Sequence, residues 1–407
     1  MTDYTIEPAH DQDWDDIYRV VRMAFLGEHS AEESALERLV TEIDRTLVAR
    51  RDGEIVGAAT IQTRHLAVPG GLVPAAHIAN IAVAAPARRR GILTRFLHQM
   101  FDQALAAGEP VAVLWASEGR IYQRFGFGLA AGSLALTIDR GEVSLTVPTP
   151  GGRLCEAEPA ALRDDLVALY DRVYRHRPGW SERAPRHWDH RLADLKEWRH
   201  GAAELRALAH YDDTGALDGY ALWRPVRRWD ESGPNGEVRV IEHVAANPQA
   251  YVALWAYLLS VDLTRTVVMR LAAPDEPLLQ AVDEPRRINA RLTDALWVRV
   301  LDLPAAFTAR RYATEVDLVV EVTDQLRPAN SGRWRLTGSP TDAACSATRA
   351  EPDLSCDIRA LGAAYLGGTS LATFAGTGQV VEHTPGALSR ADAALRWYPG
   401  PSSQEVF

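Results

Sequence analysis

The chain has 407 residues, 47% hydrophobic and 24% charged, enough for two to three water-soluble domains at roughly 150 residues each. Its 54 acidic residues outnumber 44 basic ones, for a net charge of −10, which counts against nucleic acid as a partner and suits a cationic ligand. No apolar run reaches the roughly 18 residues of a membrane span, since "YVALWAYLLSVDL" is cut by Ser260 and Asp262. The acidic N-terminus lacks a hydrophobic signal core, and Cys155, Cys345 and Cys356 are odd in number and lack metal-ligand spacing. A cytoplasmic chain without a metal is the expectation.

In the first 140 residues strands and helices alternate. "YTIEPA" reads as a short strand and "DWDDIYRVVRMAFL" as an amphipathic helix, followed by "GEHSAEES" and a second helix, "ALERLVTEI". Asp52-Gly53 lies between two β-rich runs, the signature of a tight hairpin. After "VPGGLVP", residues 77–84 form a strand, and "GILTRFLHQMFDQALAAG" is a helix closed by Gly108. "VAVLWAS" is then a buried strand, "EGRIYQRFG" a helical turn and "GSLALTIDR" a final strand. The order β-α-α-β-β-β-α-β-α-β predicts a mixed α/β layer.

The densest positive cluster, "RRRG" at 88–91, lies where a strand hands over to a helix. A helix start presents backbone N–H groups without intrahelical partners and a partial positive charge, so it attracts anions. Gly91 lets the backbone approach a phosphate closely, and Arg88, Arg89 and Arg90 add charge. A solvated basic turn is the plainer alternative, but the strand–glycine–helix context is the one an anion cradle needs.

Arg88-x-x-Gly91 after "NIAVAAPA" resembles the pyrophosphate motif of the GNAT N-acetyltransferases, with Leu93 in place of the usual second small residue. "ASEGRIYQRFGFG", "TDALWVRVLDLPAAF", "LGAAYLGG" and the terminal Phe407 together resemble the enhanced-intracellular-survival (Eis) acetyltransferases along nearly the whole chain. The resemblance implies acetyl-coenzyme A as cosubstrate and no metal. It places Ile81, Ala82 and Val83 along the pantetheine arm, Arg89, Arg90, Gly91, Ile92, Leu93 and Thr94 at the pyrophosphate, and Ser117 and Glu118 at the remaining contacts. It also makes Tyr122 the general acid and the α-carboxylate of Phe407 the general base. A phenol near pKa ~10 keeps its proton at neutral pH, and an α-carboxyl near ~3.5 is ionised and accepting. The tail "PGPSSQEVF" reads as a flexible tether ending in two docked apolar residues, against the default of a frayed terminus.

Residues 205–225 and 238–262 repeat the strand–turn–strand and strand–turn–helix patterns of the first part at an offset of roughly 160 residues. "NPQAY" there replaces "RRRGIL" and offers neither arginine nor close-approach glycine. The expected organisation is a catalytic GNAT domain over 1–149, a degenerate GNAT-like copy over 150–300 and a sterol-carrier-protein-like α+β domain over 301–407. In the copy, His187 and His190 of "HWDHR" read as surface residues rather than metal ligands. In the last part, strands precede the helix "DIRALGAAYL", and residues 371–397 are predicted mostly helical. That module reads as a packing domain that delivers Phe407, ahead of a lipid carrier.

The resemblance points to aminoglycosides or polyamine-like primary amines as acceptors, modified at more than one amine, and to a homohexamer. Protein lysines and natural polyamines are the rival acceptors, and a non-catalytic lipid or ligand carrier is the rival class. Glu28 and Asp294 are the candidate acids for a cationic substrate.

Overall fold

A computed structural model describes residues 4–407. The first part runs β1 (Thr5–Pro8), α1 (Trp14–Ala24), α2 (Ala31–Val40), β2 (Thr46–Arg51), β3 (Glu54–Val68), β4 (Gly71–Val83), α3 (Ile92–Ala106), β5 (Val111–Trp115), α4 (Gly119–Tyr122) and β6 (Gly128–Asp139). This is the predicted order. Asp52 and Gly53 take φ of 54° and 86°, the left-handed pair that a two-residue hairpin demands.

The middle contains β7 (Arg153–Ala157), α5 (Arg163–Val173), α6 (Pro185–Leu192), β8 (Arg206–Tyr211), β9 (Leu217–Val226), the small ribbon β10 (Trp229–Asp230) and β11 (Gly233–Pro234), and β12 (Gly236–Ala245). It continues through α7 (Pro248–Leu258), β13 (Thr264–Ala272), α8 (Leu278–Ala281) and β14 (Arg291–Val300). The last part holds α9 (Leu303–Ala309), β15 (Val316–Thr323), β16 (Gly332–Gly338), β17 (Ala343–Ala347), β18 (Leu354–Asp357), α10 (Ile358–Ala364), α11 (Leu371–Ala375), β19 (Val380–Glu382) and α12 (Ala387–Leu395). Residues 371–397 are thus not helical throughout. Val380 is buried and β19 closes the edge of the last sheet against β18, so pairing with a neighbour overrides a weak local preference.

One twelve-stranded sheet joins the first two parts, in the order β1-β2-β3-β4-β5-β14-β6-β13-β12-β9-β8-β7. The chain crosses over in the middle of it. β14, the last strand of the second copy in sequence, is inserted between β5 and β6, and β6 in turn pairs with β13. Each copy therefore borrows a strand that lies outside its own stretch of sequence.

On one face of the first half, Phe96, Leu97, Met100 and Phe101 of α3 pack on Ala76, Ile78, Ala112 and Leu114. On the other face, Ala75, Val111, Val113 and Val298 share a core with Leu318, Val320 and Leu361 of the last part. The alternating residues of β4 and β5 thus divide between the two layers, as strand periodicity requires. The five-stranded last sheet, β17-β16-β15-β18-β19, is fused to the back of the first. The void among Phe307, Tyr312, Leu318 and Leu361 measures about 10 Å³, no more than a water's worth of space.

Candidate active site

β4 and β5 run parallel, but they pair only at Ala75–Val111, Ala76–Ala112 and His77–Val113. β4 continues to Val83 and β5 to Trp115, so the strands part and leave unpaired backbone facing a cleft. The parting is helped by a bulge. Thr60 faces Ala79 and Ala58 faces Ala82, so Asn80 and Ile81 together oppose Ala59. Asn80 takes the left-handed φ of 52°, which asparagine tolerates better than most residues. The extra residue also switches the alternation, so that Ile81 and Val83 face α3 while Ala82 faces the α1 side.

At the far end of β4 the chain turns through Arg88, Arg89 and Arg90, all exposed. Arg89 (φ 62°) and Gly91 (φ 81°) are both left-handed, and Gly91 is the N-cap of α3. A side chain at Gly91 would meet only the Tyr4 hydroxyl, 3.7 Å away, so glycine is required there for its conformation rather than for space. The Arg95 N–H closes on the Gly91 carbonyl at 3.1 Å. The N–H groups of Ile92, Leu93 and Thr94 precede the first intrahelical bond and are open to an anion. Tyr4 fixes the turn by donating its hydroxyl to the Arg90 carbonyl.

A cavity of about 490 Å³ opens where the strands part, and Tyr122 and Phe407 both line it. Tyr122 sits in the short helix α4, buried and in edge contact with Phe127 at 5.9 Å between ring centres. Burial, with the Glu118 carboxylate second, pushes its phenol up to about 12. It therefore holds its proton throughout the neutral range. Ser117 lines the cavity beside it, and Glu118 is the N-cap of α4.

Phe407 arrives from the opposite end of the sequence on a buried strap. Ser402 N–H donates to the Pro178 carbonyl at 3.0 Å, Trp180 Nε1 donates to Ser402 Oγ at 3.0 Å, and Gln404 Nε2 donates to the His243 carbonyl at 3.3 Å. The Phe407 ring lies 4.7 Å from that of buried His77. The tail is thus not frayed, and of its two apolar end residues Phe407 docks while Val406 is exposed. An ion-pair network also anchors it. Glu405 pairs with Arg64 and, at 2.9 Å, with Arg183, while Arg183 and Arg191 both engage buried Glu242. Tyr220 donates to the same Glu242 at 2.6 Å. Burial alone would raise the Glu405 carboxyl, but the guanidinium groups of Arg183, Arg64 and Arg191 outweigh it and hold the group well below the usual carboxylate range.

Of the residues singled out from the sequence, Ile81, Ser117, Tyr122 and Phe407 line this cavity. Ala82 and Val83 carry β4 onward to the arginine turn, where Arg89–Thr94 form the helix mouth. Glu28 and Asp294 do not line the cavity. Glu28 is exposed in the loop after α1, and exposed Asp294 on β14 accepts from Trp297 Nε1 at 3.0 Å. The carboxylates on the wall are Glu37 and Glu405 instead.

The reading of His187 as a surface residue is also corrected. It is buried and lines the cavity. Its Nδ1 accepts from the Ala184 N–H at 3.0 Å, so the ring proton sits on Nε2, which has no partner among the described residues. Burial first, then nearby Arg64, pushes this imidazole down to about 3, so it stays neutral. Local pattern hid the residue because α6 is charged on its outer side and the cavity belongs to another part of the fold.

The second copy keeps the framework without the anion mouth. β12 and β13 also part, after Val240–Met269, and β12 also bulges, at Ile241. At the start of α7, however, Asn247 Oδ1 accepts from the Ala250 N–H at 2.8 Å and Pro248 has no N–H to offer. Among the described residues, no cluster of metal-ligating side chains is found, and no helix is long and apolar enough to cross a membrane.

Comparison with known proteins agrees with this architecture. Models of an acetyltransferase (GNAT) domain match residues 5–130 and 179–300, and a sterol carrier protein domain model matches 303–402. An uncharacterized N-acetyltransferase of Streptomyces avermitilis is 41% identical over 388 residues, 94% of each chain. The N-acetyltransferase Eis of Mycobacterium bovis is 34% identical over 409 residues, 97% of each. The crystal structure of Eis1 from Mycobacterium abscessus superposes with a TM-score of 0.85 at 30% identity, covering 99% of this chain and 100% of that one. With such similarity over nearly its full length, the chain belongs to the Eis family of GNAT N-acetyltransferases.

Proposed function

We propose that this N-acetyltransferase acetylates a primary amine held in the cavity between β4 and β5, with Tyr122 as general acid and the Phe407 carboxylate as general base. GNAT acetyltransferases use acetyl-coenzyme A, which supplies a thioester carbonyl and a thiolate leaving group. The residues present fit it. Exposed N–H groups and arginines at the mouth of α3 suit a pyrophosphate, and the unpaired edge of β4 at Ile81 to Val83 suits an extended amide arm. Ser117 and Glu118 flank the same opening.

The acceptor is bound as an ammonium and must lose a proton before it can attack. The Phe407 carboxylate takes that proton, the Tyr122 phenol gives one to the departing sulfur, and the second proton shed by the acylated nitrogen restores the phenol. An N–H of the parted strand donates to the carbonyl oxygen where negative charge gathers. The observation that carries the reading is that Tyr122 and the chain's last residue line one cavity. Capping the C-terminus with a short tag should lower kcat about 100-fold or more and leave the affinity for acetyl-coenzyme A unchanged, as read by thiol release and by calorimetry. An unchanged kcat would sink the role of the carboxylate.

The wall chemistry bears on the acceptor. Glu37, Glu405 and the Phe407 carboxylate are balanced by Arg22, Arg64 and Arg191, so no excess negative charge awaits a polycation. Trp14, Tyr18, Phe25 and Trp115 contribute aromatic surface. This favours an amine on an aromatic or apolar body over aminoglycosides and polyamines. A panel of arylalkylamines, aminoglycosides, polyamines and lysine peptides ranks them by kcat/KM.

A further inference from the structure

The second copy contains a cavity of about 870 Å³, within the size range of small-molecule sites. It occupies the parting between β12 and β13, the place in this copy that corresponds to the catalytic opening in the first. Trp180, Trp255, Tyr251 and His243 give it aromatic walls, and the His243 ring stacks on Trp255 at 5.4 Å.

The polar groups on its walls include both donors and acceptors; Trp255 Nε1 and Arg177 Nε are buried donors without a partner among the described residues. Glu276 is buried and accepts from the Tyr251 hydroxyl. Gln404 is buried, and its Oε1 has no hydrogen-bond partner among the described residues; nor has Nε2 of buried His243. A buried acceptor without a donor costs free energy that a ligand donor recovers. Of the arginines on the wall, Arg177 pairs with Asp275 through its terminal nitrogen, and Arg172 donates to the Leu217 carbonyl at 2.9 Å.

We propose that this cavity is a ligand site, separate from the catalytic one, for a protonated amine carried on an aromatic or apolar body. The ammonium N–H meets Glu276 and Gln404, and the body lies against Trp255, Tyr251 and Trp180. Burial first, with the Asp275 carboxylate adding to it, raises the Glu276 carboxyl above its ordinary value, a penalty that a cation beside it relieves.

The site has a built-in route to the catalytic cavity. Ser402 and Gln404 line this cavity, while Glu405, Val406 and Phe407, directly following in the chain, line the other. An occupant that satisfies Gln404 braces the strap that ends in the terminal carboxylate.

The test uses the full chain and N,N-dimethyl-2-(4-bromophenyl)ethylamine, which is cationic, keeps one N–H and cannot be acetylated to a neutral amide. A soaked crystal should show anomalous bromine density between Trp255 and Tyr251. Calorimetry should give binding at least tenfold tighter than for 4-bromophenylacetate or 2-(4-bromophenyl)ethanol. Glu276→Gln should weaken this binding about tenfold, and Ala273→Phe, which places a ring in the cavity, should abolish the bromine density between Trp255 and Tyr251. Amide hydrogen exchange over residues 400–407 should slow when the amine is bound. Bromine only in the catalytic cavity, bromine nowhere, or equal or tighter binding of the anion would overturn the proposal. Because these readouts need no acetyl transfer, they hold or fail independently of the roles of Tyr122 and Phe407.

Discussion

The two GNAT copies differ least in their sheets and most at one helix start. Both have a strand that parts from its parallel neighbour and then bulges. At α3 the turn contains left-handed Arg89 and Gly91, and no side chain caps the first N–H groups. At α7 the side chain of Asn247 occupies the corresponding donor and Pro248 removes another. A parted pair of strands therefore makes a cavity, but only an uncapped helix mouth makes an anion site. Helix capping, which stabilises the second copy by about 1 kcal/mol, and anion binding compete for the same N–H groups.

That contrast can be broken from several directions. The largest effect is expected at Tyr122, for which the second copy offers no counterpart in function. Tyr122→Phe should lower kcat by about 10²–10⁴-fold while leaving acetyl-coenzyme A binding intact, measured by single-turnover kinetics. A small loss would assign the proton to another donor.

Next comes the network that ties the copies together through the tail. Glu405→Gln leaves Arg64 and Arg183 short of a partner in a buried setting, at a cost of about 3 kcal/mol. The measurable results are a lower Tm and a fall in kcat as the strap loosens. The pH dependence has a definite sign. The folded-state carboxyl is held low, so its stabilisation is fully present above the ordinary value of ~4.3 and is lost only as pH falls through the depressed one. The glutamine variant should therefore lose its disadvantage in strong acid.

Smaller effects test the helix mouths directly. Gly91→Val forces a branched residue into φ 81°, a strain of about 1–2 kcal/mol, and should weaken acetyl-coenzyme A about tenfold with little change in the acceptor KM. Asn247→Ala should cost about 1 kcal/mol of stability and leave acetyl-coenzyme A binding unaltered. If it weakened that binding, the second copy would have a part in the cofactor site.

The smallest expected change is an absence of titration. With the Tyr122 phenol pushed up to about 12, kcat should show no alkaline fall up to about pH 10. A descending limb near neutrality would point to a different acid.

Much of this was legible in local sequence. "RRRG" marked the helix mouth because strand, glycine and helix follow one another within a few residues, and "NPQAY" marked its loss for the same reason. Other features were not legible, because their partners are far apart in the chain. Arg64 meets Glu405 across 341 positions and Arg183 meets Glu405 across 222, and no spacing rule reaches that far. Glu28 and Asp294 looked suitable as isolated acids, yet the wall uses Glu37 and Glu405. His187 sits on a helix too polar to suggest a buried face.

By itself, the sequence determined the elements and the open helix start at Gly91, since turn chemistry, capping and periodicity act over a turn or a strand, while Tyr122 was marked only by the family resemblance. Only the tertiary structure decided that β14 crosses into the first half, that the tail lies as a buried strap and that Phe407 faces the cavity of Tyr122. Those outcomes depend on strand pairing and on the desolvation of charges brought together from opposite ends of the chain. Their energies exist only once the whole sheet has closed.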